Sequence, residues 1–152
     1  MVDLISLRHV GIVVTDMEKS LTIYRDIFNL EIIWDRVETG EFIDKLLQMN
    51  NVQVRTVKLK DADGGILELL EYISHPEPKY RDKLNRVGCS HIAITVENID
   101  SMFKKLKDKG LQYNHEPMVS VDGKAKVAFF RDYDEVSLEI VEEINEDRNC
   151  TR

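Results

Sequence analysis

One stretch of the chain occurs twice. Leu7-Arg8-His9-Val10-Gly11-Ile12-Val13-Val14-Thr15-Asp16 returns as Cys89-Ser90-His91-Ile92-Ala93-Ile94-Thr95-Val96-Glu97-Asn98, and Ile66-Leu67-Glu68-Leu69-Leu70-Glu71 returns as Ser137-Leu138-Glu139-Ile140-Val141-Glu142. His9 and His91 are 82 positions apart, as are Asp16 and Asn98, so a strand and the start of a helix repeat without a gap. The later glutamates are 71 apart, which puts the longer loops in the first copy. Internal duplication restricts the fold to two similar modules, each with one early histidine and one late glutamate.

The local signals in each copy follow the order β-α-β-β-β. Val10, Ile12 and Val14 alternate with His9, Gly11 and Val13, so a bulky aliphatic face and a histidine face are separated by strand parity. The second copy places Ile92, Ile94 and Val96 opposite His91, Ala93 and Thr95. Thr15 or Asp16 caps a first helix carrying Met17, Leu21, Tyr24 and Phe28, which Asn29 terminates. Asn98 or Asp100 caps a second, with Met102, Phe103 and Leu106 before Gly110. Strands are expected over 30–36, 53–60 and 66–73, then over 113–117, 125–131 and 137–142, with turns at 61–65 and 132–134. Residues 42–49 form a helical turn or a lid.

The expected domain is α+β: two tandem β-α-β-β-β modules, residues 1–73 and 88–143, forming a curved eight-stranded mixed sheet with a concave metal or ligand site. Residues 74–87, with two prolines and many charges, are the linker, and 144–152 a polar tail. A chain of 152 residues suits one such intimately packed unit.

His9, Glu68, His91 and Glu139 are four donors arranged by the duplication. A carboxylate between large aliphatic residues is expensive to bury alone, and Glu68 sits between Leu67 and Leu69, Glu139 between Leu138 and Ile140. Imidazole and carboxylate together suit one divalent ion: nickel, cobalt, zinc, manganese or iron. The small Gly11 and Ala93, two positions after each histidine, leave room for a ligand. Glu71 and Glu142 fall on the opposite strand face and are expected to be solvated strand ends.

Other residues carry less. A strand arginine such as Arg55 reaches an anionic substrate or pairs with a carboxylate; Lys124 and Lys126 clamp an anion or decorate a hairpin. Cys89 is expected as a buried thiol near His91, and Cys150 as a reduced thiol in the tail. His75 and His115 have no assigned role. The net charge of −7 argues against a phosphate-bound nucleic-acid surface, and no apolar run reaches membrane-spanning length. The start of the chain lacks the pattern of a secretory leader, so a cytoplasmic protein is expected.

On residues 9–14, 67–71, 91–94 and 138–140, the chain resembles the vicinal oxygen chelate superfamily, which includes glyoxalase I, methylmalonyl-CoA epimerase, extradiol dioxygenases and fosfomycin or bleomycin resistance proteins. The resemblance spans about residues 5 to 143. It implies that His9, Glu68, His91 and Glu139 occupy the family's metal positions, and that Glu68 or Glu139 also serves as the catalytic base. It implies a glyoxalase-like or epimerase-like lyase or isomerase that moves a proton on a small oxygen-rich substrate. Two further readings follow from it: an iron-dependent extradiol-type dioxygenase using His9, His91 and Glu139, with Tyr133 as a supporting phenol, or a resistance protein that binds a small molecule without catalysis. Bacterial glyoxalase I carries an arginine where this chain has Val13. The epimerase is similar over Lys124 to Phe130 but has glutamine at the place of Glu68. A homodimer is the expected assembly.

Overall fold

A computed structural model describes residues 6–81 and 83–144, and the chain divides into two compact units, Met1–Lys79 and Tyr80–Arg152. Each unit contains a four-stranded mixed sheet, so the eight strands form two ladders of four. The expected duplicated α+β architecture is present. Cys150 and nearly all of the polar tail lie outside the described residues.

In the first unit the elements are β1 (Val10–Val13), α1 (Met17–Tyr24), β2 (Glu31–Thr39), α2 (Glu41–Leu47), β3 (Gln53–Lys60) and β4 (Ile66–Tyr72). The sheet order is β1-β4-β3-β2, with β1 parallel to β4 and the other pairs antiparallel. Parallel pairing of β1 with the last strand requires a crossover, and α1 begins it. Asp16 accepts a hydrogen bond from the Lys19 amide at 3.0 Å and starts α1. Asn29 sits at φ 57, the left-handed conformation expected of a terminator. Ile12, Val14, Met17, Leu21, Ile23, Tyr24, Val57, Leu59 and Leu69 are the buried core of this unit.

The second unit comprises β5 (Ile92–Thr95), α3 (Ile99–Asp108), β6 (Met118–Val119), β7 (Ala125–Arg131) and β8 (Ser137–Glu143), in the order β5-β8-β7-β6. Asn98 caps α3 through the Ser101 amide at 2.8 Å, and Gly110 follows at φ 78. Ile99, Phe103 and Leu106 are the buried face of α3, whereas Met102 is half-buried. The strand expected over 113–117 is not continuous. Tyr113 makes one bridge to Phe130, the chain then leaves β7, and the ladder resumes only at Met118 and Val119. Pro117 has no amide to donate, which accounts for an interruption there.

The two hairpins before the late glutamates share one device. Asp61 Oδ1 accepts from the amides of Asp63 and Gly65, and Asp132 Oδ1 from those of Asp134 and Val136. Each aspartate replaces backbone partners in a tight turn and so fixes the register of the strand that carries Glu68 or Glu139.

Of the residues 42–49, expected as a helical turn or a lid, those through Leu47 are helical as part of α2, and Gln48 ends the helix at φ 55. Ile43 is buried against Val52 and Val54, with Leu47, Leu70 and Tyr72 packed beside it. Strand register puts Val54, Leu70 and Tyr72 on the same sheet face as Glu68, so α2 covers one end of that face.

Candidate metal centre

Register fixes the neighbours of each glutamate. In the first unit a continuous row crosses the sheet: Trp34 on β2 opposes Lys58, Lys58 opposes Glu68, and Glu68 opposes Gly11. The corresponding row in the second unit runs Phe129, Glu139, Ala93. The small residue beside each histidine is thus the cross-strand neighbour of the glutamate. A Cβ added to Gly11 would stand 3.4 Å from Glu68 Oε2.

Each histidine lies one residue before its first strand and meets the glutamate of its own unit. His9 Nε2 is 3.3 Å from Glu68 Oε2, and His91 Nε2 is 3.0 Å from Glu139 Oε2. The glutamates are largely sheltered, with 13% and 22% of their side chains exposed. The predicted donors therefore assemble as one pair per unit, and among the described residues neither unit gathers a third His, Cys, Asp or Glu into a metal-binding group.

Hydrogen bonding orients the His91 ring. Ser90 donates its hydroxyl proton to the Leu84 carbonyl at 3.0 Å, so its oxygen is left to accept from His91 Nδ1 at 3.1 Å. Nε2 is thereby the ring nitrogen turned to the Glu139 carboxylate, 3.0 Å away, where a proton or a metal ion would satisfy both atoms. An imidazole nitrogen and a carboxylate oxygen bound to one ion at about 2.1 Å and near right angles are separated by roughly 3 Å. Both His–Glu pairs have that spacing, so each pair supplies two of the donors that a divalent ion would need. The ring of His91 is also steadied edge-on by Phe129, at 5.3 Å between centroids.

The units differ in what stands beside the glutamate. Lys58 Nζ is 3.3 Å from Glu68 Oε1, so both oxygens of Glu68 have a basic neighbour. The second unit has Phe129 at that register, and Glu139 keeps Oε1 without a charged partner among the described residues. Lys58 is the site residue that reading the repeats alone misses, although its strand parity with Glu68 follows once the register is known.

The remaining expectations separate cleanly. Arg55 lies on the helix side of the sheet, bound to Asp35 at 2.7 and 2.9 Å and to Glu18 at 2.8 Å, so it pairs with carboxylates rather than facing the Glu68 side. These bonds raise its already high pKa further and hold Asp35 below the usual carboxylate range. Glu71 and Glu142 are not solvated strand ends. Glu71 accepts from the Met17 amide at 3.3 Å and Glu142 from the Ile99 amide at 2.7 Å, so each receives the first amide of its unit's repeated helix. The parity that excludes them from the metal face delivers them to helix N-termini, where negative charge is favourable. Cys89 is exposed rather than buried, because it precedes the strand. Lys126 is occupied by Asp100 at 2.6 Å, His75 and His115 bond to their immediate neighbours, and Tyr133 is half-buried in the β7–β8 turn. Val13 is 54% exposed on the Glu68 side.

Residues 6–140 match the model of the Glyoxalase/Bleomycin resistance protein/Dioxygenase superfamily. A probable lactoylglutathione lyase of Synechocystis is 30% identical over 137 residues, covering 90% of this chain and 94% of that protein. The lactoylglutathione lyase of Schizosaccharomyces pombe is 31% identical over 143 residues, covering 89% of this chain and 46% of that larger protein. Among solved structures, a glyoxalase family protein from Bacillus cereus superposes with a TM-score of 0.87 at 20% identity, covering 94% of this chain and 97% of that one. The fosfomycin resistance protein FosX of Listeria monocytogenes, solved with manganese(II) and a dihydroxypropylphosphonic acid, gives 0.63 at 21% identity, covering 96% of both chains. The repeat, the two mixed sheets and the match across residues 6–140 agree: the chain belongs to the glyoxalase/bleomycin resistance protein/dioxygenase superfamily.

Proposed function

We propose that the chain is a cytoplasmic, divalent-metal-dependent lyase or isomerase that moves a proton on a small oxygen-rich substrate. The observation that carries this reading is the repeated pairing of one histidine with one sheltered glutamate, His9 with Glu68 at 3.3 Å and His91 with Glu139 at 3.0 Å, in a chain of this superfamily. His9, Glu68, His91 and Glu139 would hold one ion. When bound, such an ion supplies Lewis-acid stabilisation of oxyanion charge that develops as a proton leaves carbon. Glu139, with Oε1 free of a charged partner among the described residues, takes up that proton and returns it; Glu68, flanked by His9 and Lys58, serves as a ligand. Two relatives bear the name lactoylglutathione lyase, which supports proton-transfer chemistry. A homodimer of such chains is part of the proposal.

Elemental analysis of protein purified without chelators or affinity nickel should find an ion that the His9→Ala, His91→Ala double variant has lost. Retention of the same metal by that variant would overturn the assignment. Incubation with S-lactoylglutathione in deuterium oxide should introduce deuterium beside the carbonyl, and Glu139→Gln should abolish that exchange while the metal remains detectable.

One observation favours a second reading. Lys58 neutralises Glu68 without any ion, which leaves His9, His91 and Glu139 as the two-histidine, one-carboxylate set of an iron-dependent extradiol-type dioxygenase. Glu68→Gln separates the two. Unchanged ferrous iron content together with catechol-dependent oxygen uptake selects the dioxygenase, and loss of metal selects the four-ligand lyase.

A further inference from the structure

Beside the His9–Glu68 pair the first unit has a cleft of about 330 Å³ lined by Arg8, His9, Ile33, Trp34, Lys58 and Ile66. Its cations are out of keeping with a chain of net charge −7. Arg8 has no carboxylate partner among the described residues. Among the described residues the carboxylate partner of Lys58 is Glu68 at 3.3 Å, and its ammonium also lies 5.9 Å from the centre of the Trp34 ring. Arg36, likewise without a carboxylate partner among the described residues, stacks over the same indole at 4.3 Å. Trp34 is therefore clasped on the sheet by side chains two positions along its strand and directly across it. Its face and Ile33 form an apolar wall below two basic groups.

We infer that this cleft is an oxyanion subsite: Arg8 and Lys58 bind a carboxylate or phosphoryl group of the substrate, and its adjoining carbon skeleton lies against Trp34 and Ile33. The inference deepens the proposed lyase or isomerase function and uses residues outside the four candidate ligands. A guanidinium offers paired donors to two oxygens of one anion, and an ammonium adds a third charge-assisted bond from another strand. An indole fixed by Arg36 gives a planar surface that loses little freedom on binding. Glu68 sits at the edge of the subsite and competes with the incoming anion for Lys58. Engagement of Glu68 elsewhere releases the ammonium to the substrate.

Trp34 is the chain's single tryptophan, so its emission reports this cleft directly. The full chain, freed of metal with EDTA and held at constant ionic strength, is titrated with phenylphosphonate, benzoate and the neutral benzamide. The expected result is a saturable emission change with an anion and none with benzamide at the same concentrations. Preference for phenylphosphonate identifies a phosphoryl group, and preference for benzoate a carboxylate. Arg8→Gln and Lys58→Met each weaken binding about tenfold, the loss of one charge-assisted bond, while Glu68→Gln tightens it severalfold by removing the competitor. An equal response to benzamide, or affinities unchanged in both Arg8→Gln and Lys58→Met, overturns the inference. Cobalt(II) absorption measured on the same proteins reads the metal site separately. Arg8→Gln keeps the cobalt spectrum, and anion binding without any cobalt spectrum in the unsubstituted chain refutes the metal reading and leaves the subsite standing.

Discussion

Ser90 sets the chemistry of the second half-site although it carries no charge. Its hydroxyl is committed to the Leu84 carbonyl, so it orders His91 by accepting from Nδ1, and Nε2 is turned to the side where Glu139 stands. Groups that orient a ligating histidine typically contribute 10–100-fold in metal affinity. Ser90→Ala should therefore weaken cobalt(II) binding by roughly tenfold, measured by competition with a chelator, with the melting temperature little changed. Gly11 makes the reverse point. Its place opposite Glu68 tolerates a methyl group, as Ala93 shows at the matching position beside Glu139. Gly11→Ala should retain metal and fold normally by circular dichroism, whereas Gly11→Leu should displace Glu68 and lose the ion. The histidines and glutamates were legible from the repeat. Ser90 and Lys58 were not, because a serine next to a histidine and a lysine ten residues before a glutamate acquire meaning only when a hydrogen bond or a strand register brings them together.

At the scale of elements, both β-α units are tied by one arrangement: an Asx cap at the helix start and a glutamate from the last strand at the first helical amide. Glu71 and Glu142 thereby lock α1 to β4 and α3 to β8. Replacing Glu142 by Gln keeps an acceptor and removes the charge, and should cost about 0.3–1 kcal/mol in chemical denaturation; Asn98→Ala should cost about 1 kcal/mol. The Arg55 network holds α1 to β2 and β3 on the same side. Asp35 has its folded pKa below the ordinary 3.8, so its contribution is present above that value and lost as pH falls through the lower folded pKa. The stability difference between the unsubstituted chain and Asp35→Asn should accordingly be constant from neutral pH to about 5 and shrink as the pH is lowered through the acid range, as urea titrations at several pH values would show. Its size stays below about 1 kcal/mol because Asp35 is well exposed. Strand parity correctly set Glu71 and Glu142 on the face opposite Glu68 and Glu139. It could not show that the other face carries the exposed N-terminus of a helix, which turns an apparent strand-end charge into a cap.

For the molecule as a whole, the duplication poses a stoichiometric question. Each unit alone contributes one histidine and one glutamate, fewer donors than a divalent ion requires. A site shared by both sets should hold one ion per four donors, and His9→Ala and His91→Ala should each abolish it, the double variant losing no more than either single one. Independent half-sites would instead show each single substitution halving the bound metal. Mass measurement in solution, made on the same samples, tests the homodimer. No helix among the described residues is long and apolar enough to cross a membrane.

The amino-acid sequence by itself determined the duplicated α+β architecture and most of its strand and helix order, and it singled out the four candidate donors. Those properties depend on local periodicity, turn chemistry and internal repetition, which are written along the chain. Tertiary structure decided what those residues meet. It paired each histidine with the glutamate of its own unit, placed Lys58 against one carboxylate and Phe129 beside the other, turned Arg55 to the helix side and made Glu71 and Glu142 into caps. Those outcomes depend on register between strands distant in sequence, where a shift of one residue moves every side chain to the opposite face.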